Sequence, residues 1–390
     1  EILQSGELGG NYANEDKPSS YPLMKMGNLD RGRFNLDKVE YIPEDYSPDS
    51  LHRLRYGDLL FNTRTTPKLV GKVALWRNEL SRAYFNSNLM RLEFDPDRIA
   101  SNEFANYALN SRYALRQIRN MVTATTSVAA IYRRDLDRLK LALPSLPEQR
   151  AIADALSDVD ALIERLGALI AKKRVIKTAT MQRLLTGQQR LPGFDGEWTT
   201  KRLGDVTQIV NGGTPSSSVE AYWNGEIPWC TPTDITSTSG RYLSATERNI
   251  TEKGLANSSA TLLPKGSLLL CSRATVGEVK IAKTPITTNQ GFKSLICDSD
   301  TSNQYLYYLL LTMRSDLEEV SSGSTFLELS KRSAAALEIT LPPLNEQKAI
   351  ATILSDMDAE IEAFQARRDK TQAIKQGMMQ ELLTGRTRLV

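Results

Sequence analysis

The chain has 390 residues, of which 41% are hydrophobic and 24% charged, with a net charge of +3. That composition describes a globular protein of two or three domains. No run approaches the roughly 20 apolar residues of a membrane span, and no signal peptide is visible. The three cysteines, Cys230, Cys271 and Cys297, lack metal-type spacing and read as buried or half-buried residues of a reducing, cytoplasmic compartment. The mild positive charge permits nucleic-acid binding without arguing for it, so that case rests on how charge is distributed.

In chain order, residues 1–143 form a first globular unit rich in turn residues, such as Gly9-Gly10-Asn11-Tyr12. Short strands and one or two helices predict an α+β domain. Residues 144–190 then read as one long helix. Ile152, Leu156, Val159, Ile163, Leu166 and Ile170 recur in steps of four and three, which keeps one apolar seam on one face. Ser145 and Glu148 fit the spacing of a capping box, with Pro147 in the first turn. Gly187 fits a C-terminal stop. A second α+β unit follows over residues 191–341. Its best strand candidates are Leu262 to Leu270 and Val276 to Ala282.

Residues 342–390 repeat the helix. Leu143 to Leu191 and Leu341 to Leu389 align without a gap at an offset of 198 residues, and more than half the positions are identical. Ile350, Leu354, Met357, Ile361 and Phe364 carry the second seam, Asn345 is the expected cap and Gly385 the stop. Such an internal repeat governs the architecture. A helix with one apolar seam needs a partner in water, and the economical partner is the other copy, packed antiparallel as a coiled coil. The alternative is that each helix packs on its own domain.

The repeat extends weakly into the globular units. Gly57-Asp58-Leu59-Leu60-Phe61-Asn62-Thr63-Arg64 resembles Gly266-Ser267-Leu268-Leu269-Leu270-Cys271-Ser272-Arg273. In each, a glycine and short strand, an asparagine (Asn86 or Asn289) before a further strand, a short aromatic helix, and a polar turn (Thr125-Thr126-Ser127 or Gly323-Ser324-Thr325) follow. The frame is shared, whereas residues 10–55 and 211–262 have little in common. The second unit opens with Trp198 and Leu203-Gly204-Asp205-Val206 and the first directly at Ile2-Leu3, so the first is expected to lack a leading strand.

Catalytic chemistry is hard to find. The single histidine, His52, excludes any mechanism built on two, and its charged surroundings predict a solvated side chain. There is no Walker loop, no Gly-x-Gly-x-x-Gly after a strand, no Gly-x-Ser-x-Gly and no Asn-Pro-Pro-aromatic motif. Glu278-Val279-Lys280 has the Glu-x-Lys form of metal-dependent nucleases, with Asp234 as the acidic partner, but Val279 also fits a strand of the repeated frame. The variable loops instead carry residues suited to binding: Lys17, Lys25, Asn28, Arg31, Arg33, Arg64 and Lys68 in the first unit. The second offers Thr214, Ser216, Trp223, Asn224, Thr233, Arg241, Lys253 and Arg273. Lys and Arg position a protein on phosphates, and Arg, Asn, Ser and Thr can also read base edges. Taken singly, each loop residue reads first as a solvated surface group, whereas for Arg64 and Arg273 a binding role and a structural ion pair stand equal.

Leu-Pro-x-Leu-x-Glu-Gln before a long helix, Leu-Leu-Thr-Gly near its end, and the unit–helix–unit–helix layout resemble the DNA-specificity subunit of type I restriction–modification systems. The resemblance covers essentially the whole chain. It implies that each unit is a target-recognition domain reading one half of a split, asymmetric sequence in double-stranded DNA. It further implies that the coiled coil sets the spacer, that two methyltransferase subunits dock on this chain, and that restriction subunits join them. S-adenosylmethionine and ATP would belong to those partners, and this chain would carry neither cofactor, metal nor catalysis. A two-headed protein-binding scaffold is the alternative without DNA specificity.

Overall fold

The computed structural model describes residues 2–66, 70–124, 129–321 and 327–389. They divide into two compact units, Glu1–Leu166 with Arg367–Val390, and Gly167–Ala366. The division cuts both long helices. The first runs unbroken over Leu146–Leu185, 40 residues, and the second over Leu344–Leu382, 39 residues. At ~1.5 Å per residue each is about 60 Å long. Each unit therefore holds one globular domain, the first half of the helix that follows it, and the second half of the other helix.

The first domain is built on an antiparallel sheet whose strand order is Leu3–Leu8, Leu89–Phe94, Leu59–Asn62, Val73–Leu75. The second domain repeats that order with Thr207–Asn211, Phe292–Cys297, Leu268–Cys271 and Val279–Ala282, and adds Tyr242–Leu243 at the edge. The central strands Leu59–Asn62 and Leu268–Cys271 are buried on both faces, which is why they read as continuous apolar runs rather than alternating ones. A smaller sheet accompanies each, joined in both by a parallel pair: Pro22–Met24 with Tyr84–Phe85, and Trp223–Cys230 with Thr287–Thr288. The helices Asn102–Leu109 and Asn303–Thr312 fill corresponding places, each capped by a serine hydroxyl, Ser101 or Ser302. The second unit also has a two-stranded ribbon, Thr199–Arg202 with Glu338–Leu341, that has no counterpart among the described residues of the first.

Two expected elements differ in extent. Of Leu262 to Leu270, only Leu268–Cys271 is strand, and Leu263 makes a single bridge to Ile286. Pro264 lies between them and supplies no backbone N–H for a ladder. His52 is not a solvated side chain. It is half-buried, its Nδ1 sits 2.5 Å from the Tyr12 hydroxyl, and its ring meets Phe85 edge-on. The predicted turns at Thr125-Thr126-Ser127 and Gly323-Ser324-Thr325 fall outside the described residues.

The seam residues face inward. Ile152, Leu156, Leu166 and Ile170 are buried on the first helix, as are Ile350, Leu354 and Ile361 on the second, with Val159, Ile163, Met357 and Phe364 half-buried. Ile152 and Leu156 join the core of the first domain, and so do Leu382 and Leu383 from the end of the second helix. In the second unit Ile350 and Leu354 share a core with Leu184 and Leu185 from the end of the first helix. The Leu-Leu of the repeated Leu-Leu-Thr-Gly is thus a plug. Gly187 and Gly385 follow at φ +72°, a left-handed stop that a side chain would strain.

Polar joints repeat along with the plugs. Glu148 is buried and receives Arg388, Nε at 2.6 Å from Oε1. Glu346 is buried and receives Arg190 at the same distance. The capping box predicted from Ser145 and Glu148 is absent, since the Glu148 carboxylate is turned to Arg388. The second helix starts at Leu344, which puts Asn345 inside its first turn rather than at the cap. Gln149 accepts from the Ala100 N–H and donates to the Arg98 and Pro144 carbonyls; Gln347 does the same with Ser302, Asp300 and Pro342. Further along, Asp160 accepts from the Tyr107 hydroxyl at 2.8 Å and pairs with Lys375 at 2.6 Å. Its repeat equivalent, Asp358, accepts from Tyr308 at 2.6 Å and pairs with Lys177. Each Tyr–Asp–Lys set ties a domain helix to one long helix and that helix to the antiparallel other.

Truncating Leu156 or Leu354 to alanine should destabilise the protein by about 2–5 kcal/mol in urea melts, the usual cost of a cavity in a packed core. Arg388 holds the Glu148 carboxyl below its ordinary value of 4.5. That contribution is complete above pH 4.5 and is lost as pH falls through the lower folded-state value. The destabilisation caused by Arg388→Met should therefore be greatest near neutrality and shrink in melts below pH 4.5.

Candidate nucleic-acid interface

The loops of the first domain hold the predicted residues in unequal ways. Asn28 is buried, with its Oδ1 accepting from the Lys25 N–H and its Nδ2 donating to the Asn35 and Lys38 carbonyls at 3.0 and 2.7 Å. It staples the 25–38 loop. Lys25 is half-buried and paired with Glu40 at 2.7 Å. Arg31 and Arg33 are exposed on either side of Gly32, whose φ of +87° lets the turn bend tightly. The turn is pinned because the Gly32 N–H donates to Val73 at 2.7 Å and its carbonyl accepts from Asn106 at 3.1 Å. Lys17 is exposed. Arg64 opens the short strand Arg64–Thr65 just beyond the central strand, exposed and with no ion-pair partner among the described residues. Lys68 lies outside the described residues.

In the second domain Thr214, Ser216 and Thr233 are exposed, Thr214 donating to Gln290 at 2.6 Å. Trp223 is 7% exposed and stacks edge-on against Trp229, with the Arg248 guanidinium 3.7 Å above its ring. Its neighbour Asn224 is exposed at φ +61°. Arg241 donates to the Tyr308 hydroxyl at 2.8 Å and to Ser355 on the long helix, so it braces the domain to that helix. Lys253 is exposed on the short helix Glu252–Ala256. Arg273 pairs with Glu328 at 2.7 Å, both groups more than two-fifths exposed. Loops of the two units thus place exposed hydrogen-bonding and cationic groups on frames held from beneath by buried amides and aromatic rings.

Lys293 escaped the sequence reading because it sits inside an apolar strand, Phe292–Cys297. It is 7% exposed, and among the described residues its ammonium meets only the Ser272 hydroxyl, at 3.4 Å, with no carboxylate in ion-pair range. Burial pushes its pKa down; Glu328 raises it and Arg273 adds to the lowering. The adjoining loop holds Ala274 at φ +61°, and the Thr275 hydroxyl is buried beside Cys271. A strained loop beside a buried, under-partnered cation is a combination that collects at binding sites. In the first domain Met90 stands at the corresponding ladder position, opposite Phe61 as Lys293 is opposite Leu270.

The nuclease constellation does not assemble. Glu278 is paired with Arg314 at 2.8 Å, and the Lys280 ammonium donates to the Gly240 carbonyl. Asp234 is buried and accepts from the Thr231 and Glu247 N–H groups. Among the described residues no cluster of His, Cys, Asp and Glu could hold a metal ion. Burial raises the thiols of Cys271 and Cys297 to about 12, far from a reactive thiolate.

These sites occur on a recognisable frame. The model of the type I restriction modification DNA specificity domain matches residues 11–172 and 195–371. The chain belongs to this family of specificity subunits, which is non-catalytic. The putative type I restriction enzyme MjaX specificity subunit of Methanocaldococcus jannaschii is 25% identical over 405 residues, covering 100% of this chain and 92% of its own. The MjaIX specificity subunit of the same organism is 45% identical over 168 residues, 43% of this chain and 39% of the relative, so that match spans well under two thirds of its length. The EcoR124I/EcoR124II specificity subunit of Escherichia coli is 26% identical over 230 residues, 57% of this chain and 55% of that one. In fold, the S subunit of the M. genitalium type I system superposes with a TM-score of 0.62 at 16% identity, covering 98% of this chain and 94% of that one.

Replacing Lys293 with methionine, the residue of the first domain, should stabilise the second unit at neutral pH because it removes the cost of burying a poorly paired cation. A lysine depressed below its ordinary 10.5 binds fewer protons folded than unfolded. Wild-type stability should therefore climb toward pH 10.5, and the advantage of Lys293→Met in thermal melts should shrink over the same range.

Proposed function

We propose that this chain supplies the DNA specificity of a type I restriction–modification complex. Residues 1–143 and 191–341 are two recognition domains, each reading one half of a bipartite target. Residues 144–190 and 342–390 join them and set the spacer. The observation that carries this reading is one sheet order, used twice, under loops that differ in sequence and length. A shared frame with divergent loops suits two readers with different targets. The spacer role is supported by helices that run unbroken from one unit into the other, because duplex half-sites are spaced in turns of roughly 34–36 Å. Tethering makes the second half-site's binding intramolecular.

Methyltransferase subunits would bind on the long helices, where Val175, Ile176 and Ile374 stand 69%, 42% and 49% exposed. Restriction subunits would join through them, with S-adenosylmethionine and ATP held by those partners, in the cytoplasm. No described helix is long and apolar enough to cross a membrane.

Replacing residues 191–341 with a recognition domain from another such subunit should change one half of the methylated motif and leave the other. Methylome sequencing in which both halves change would refute independent reading. Inserting one helical turn beside both Ala168 and Ala366 should lengthen the spacer with both half-motifs intact. An affinity of the assembled complex that is indifferent to salt and duplex sequence would favour the protein-binding scaffold instead.

A further inference from the structure

The helix Arg112–Met121 of the first unit has two opposed faces. Ala114 and Ile118 are buried, Ile118 lying against Gly71. The opposite face presents Arg112, Arg116 and Arg119 at spacings of four and three, all exposed. Among the described residues none of these guanidiniums has an ion pair or a side-chain hydrogen bond. A surface helix ordinarily intersperses acids along such a row, since like charges four apart destabilise it. Here the row is extended in space by another cation. Arg31, on the turn pinned by Gly32, has its pKa lowered by burial and further by the like charge of Arg119.

The helix runs into the strand Thr123–Ala124, which pairs with Ala129–Ala130, which pairs in turn with Arg64–Thr65. Arg64, exposed and without an ion pair among the described residues, is therefore at the next strand but one. The corresponding helix of the second unit, Arg314–Glu319, carries Asp316, Glu318 and Glu319, and its one arginine is bound to Glu278 and Glu318. The two units share a frame here and have opposite charge upon it. A row of exposed arginines with no ion pair among the described residues, on one unit and replaced by acids on the other, is a surface complementary to a polyanion.

We propose that Arg112, Arg116 and Arg119, with Arg31 beside them, form a phosphate-backbone clamp on duplex DNA that the first unit has and the second lacks. This rests on the DNA-specificity reading and assigns positioning residues within it. They hold the duplex in register for the variable loops and do not read bases. The first unit accordingly carries the larger share of the salt-dependent affinity.

The test uses the full chain assembled with its methyltransferase subunits, and fluorescence anisotropy on duplexes with and without the motif, from low to high salt. In Arg112→Gln/Arg116→Gln/Arg119→Gln the slope of log affinity against log salt should become shallower by about two to three, since each neutralised phosphate contributes ~0.9. Affinity for both duplexes should fall by the same factor, and the methylated motif should not change. The triple lysine variant should restore the slope, because a phosphate needs a charge rather than a fork of donors. Unchanged thermal melts would establish that the glutamine variant is folded. A folded glutamine variant with the wild-type slope would overturn the clamp while leaving the functional reading intact. So would loss of subunit assembly at unchanged slope, which would mark the face as a dock for an acidic protein surface. A wild-type complex that did not discriminate between the duplexes would instead defeat the functional reading.

Discussion

Everything in this molecule follows from an amphipathic helix that is too long to be covered by one domain. Leu146–Leu185 and Leu344–Leu382 each bury their first turns in the domain that precedes or adjoins them. Their remaining apolar positions need another surface, and each finds the antiparallel other. The ends matter most. Leu184 and Leu185 enter one core and Leu382 and Leu383 the other, so neither domain completes its interior without the far end of a distant helix. The second helix thereby returns the end of the chain to the unit in which the chain began.

Polar groups make that arrangement specific. A carboxylate buried without a partner is costly, so Glu148 and Glu346 disfavour any register that does not bring Arg388 and Arg190 to them. The Tyr107–Asp160–Lys375 and Tyr308–Asp358–Lys177 sets add a second fixed point on each side. Apolar seams alone tolerate sliding by a heptad; four buried or half-buried charged joints do not. Both the charged joints and seam residues such as Ile152 and Leu156 are identical in the two copies of the repeat.

Against this duplicated frame the two domains diverge where they are free to. The first places Met90 where the second buries Lys293. The first carries an arginine row on a helix whose counterpart is acidic. The arginine row lies on an exposed face and costs the frame little, whereas Lys293 is buried within a strand and carries a cost in stability. The two domains thus differ in charge and chemistry at matching places on one frame, in a family whose model covers most of the chain.

The sequence by itself determined the layout. A gapless repeat, a heptad-like seam and the recurrent Gly-x-Leu-Leu strand are local patterns, and each specifies its element without reference to distant residues. Glu-Gln was visible as a repeated pair, but its meaning was not: Arg388 is 240 positions from Glu148 in the chain, and no local rule links them. The candidate site was legible only as a set of loops. Which loop residues are committed to the protein itself, as Asn28 and Arg241 are, and which stay exposed, as Arg31 and Arg64 do, was decided by the folding of the loops over their sheets. Lys293 hid within an apolar strand, and the arginine row acquired significance only when another cation, Arg31, proved to lie near it. Periodicity is written along the chain, whereas the balance of charge at a point in space is summed over segments that only tertiary packing brings together.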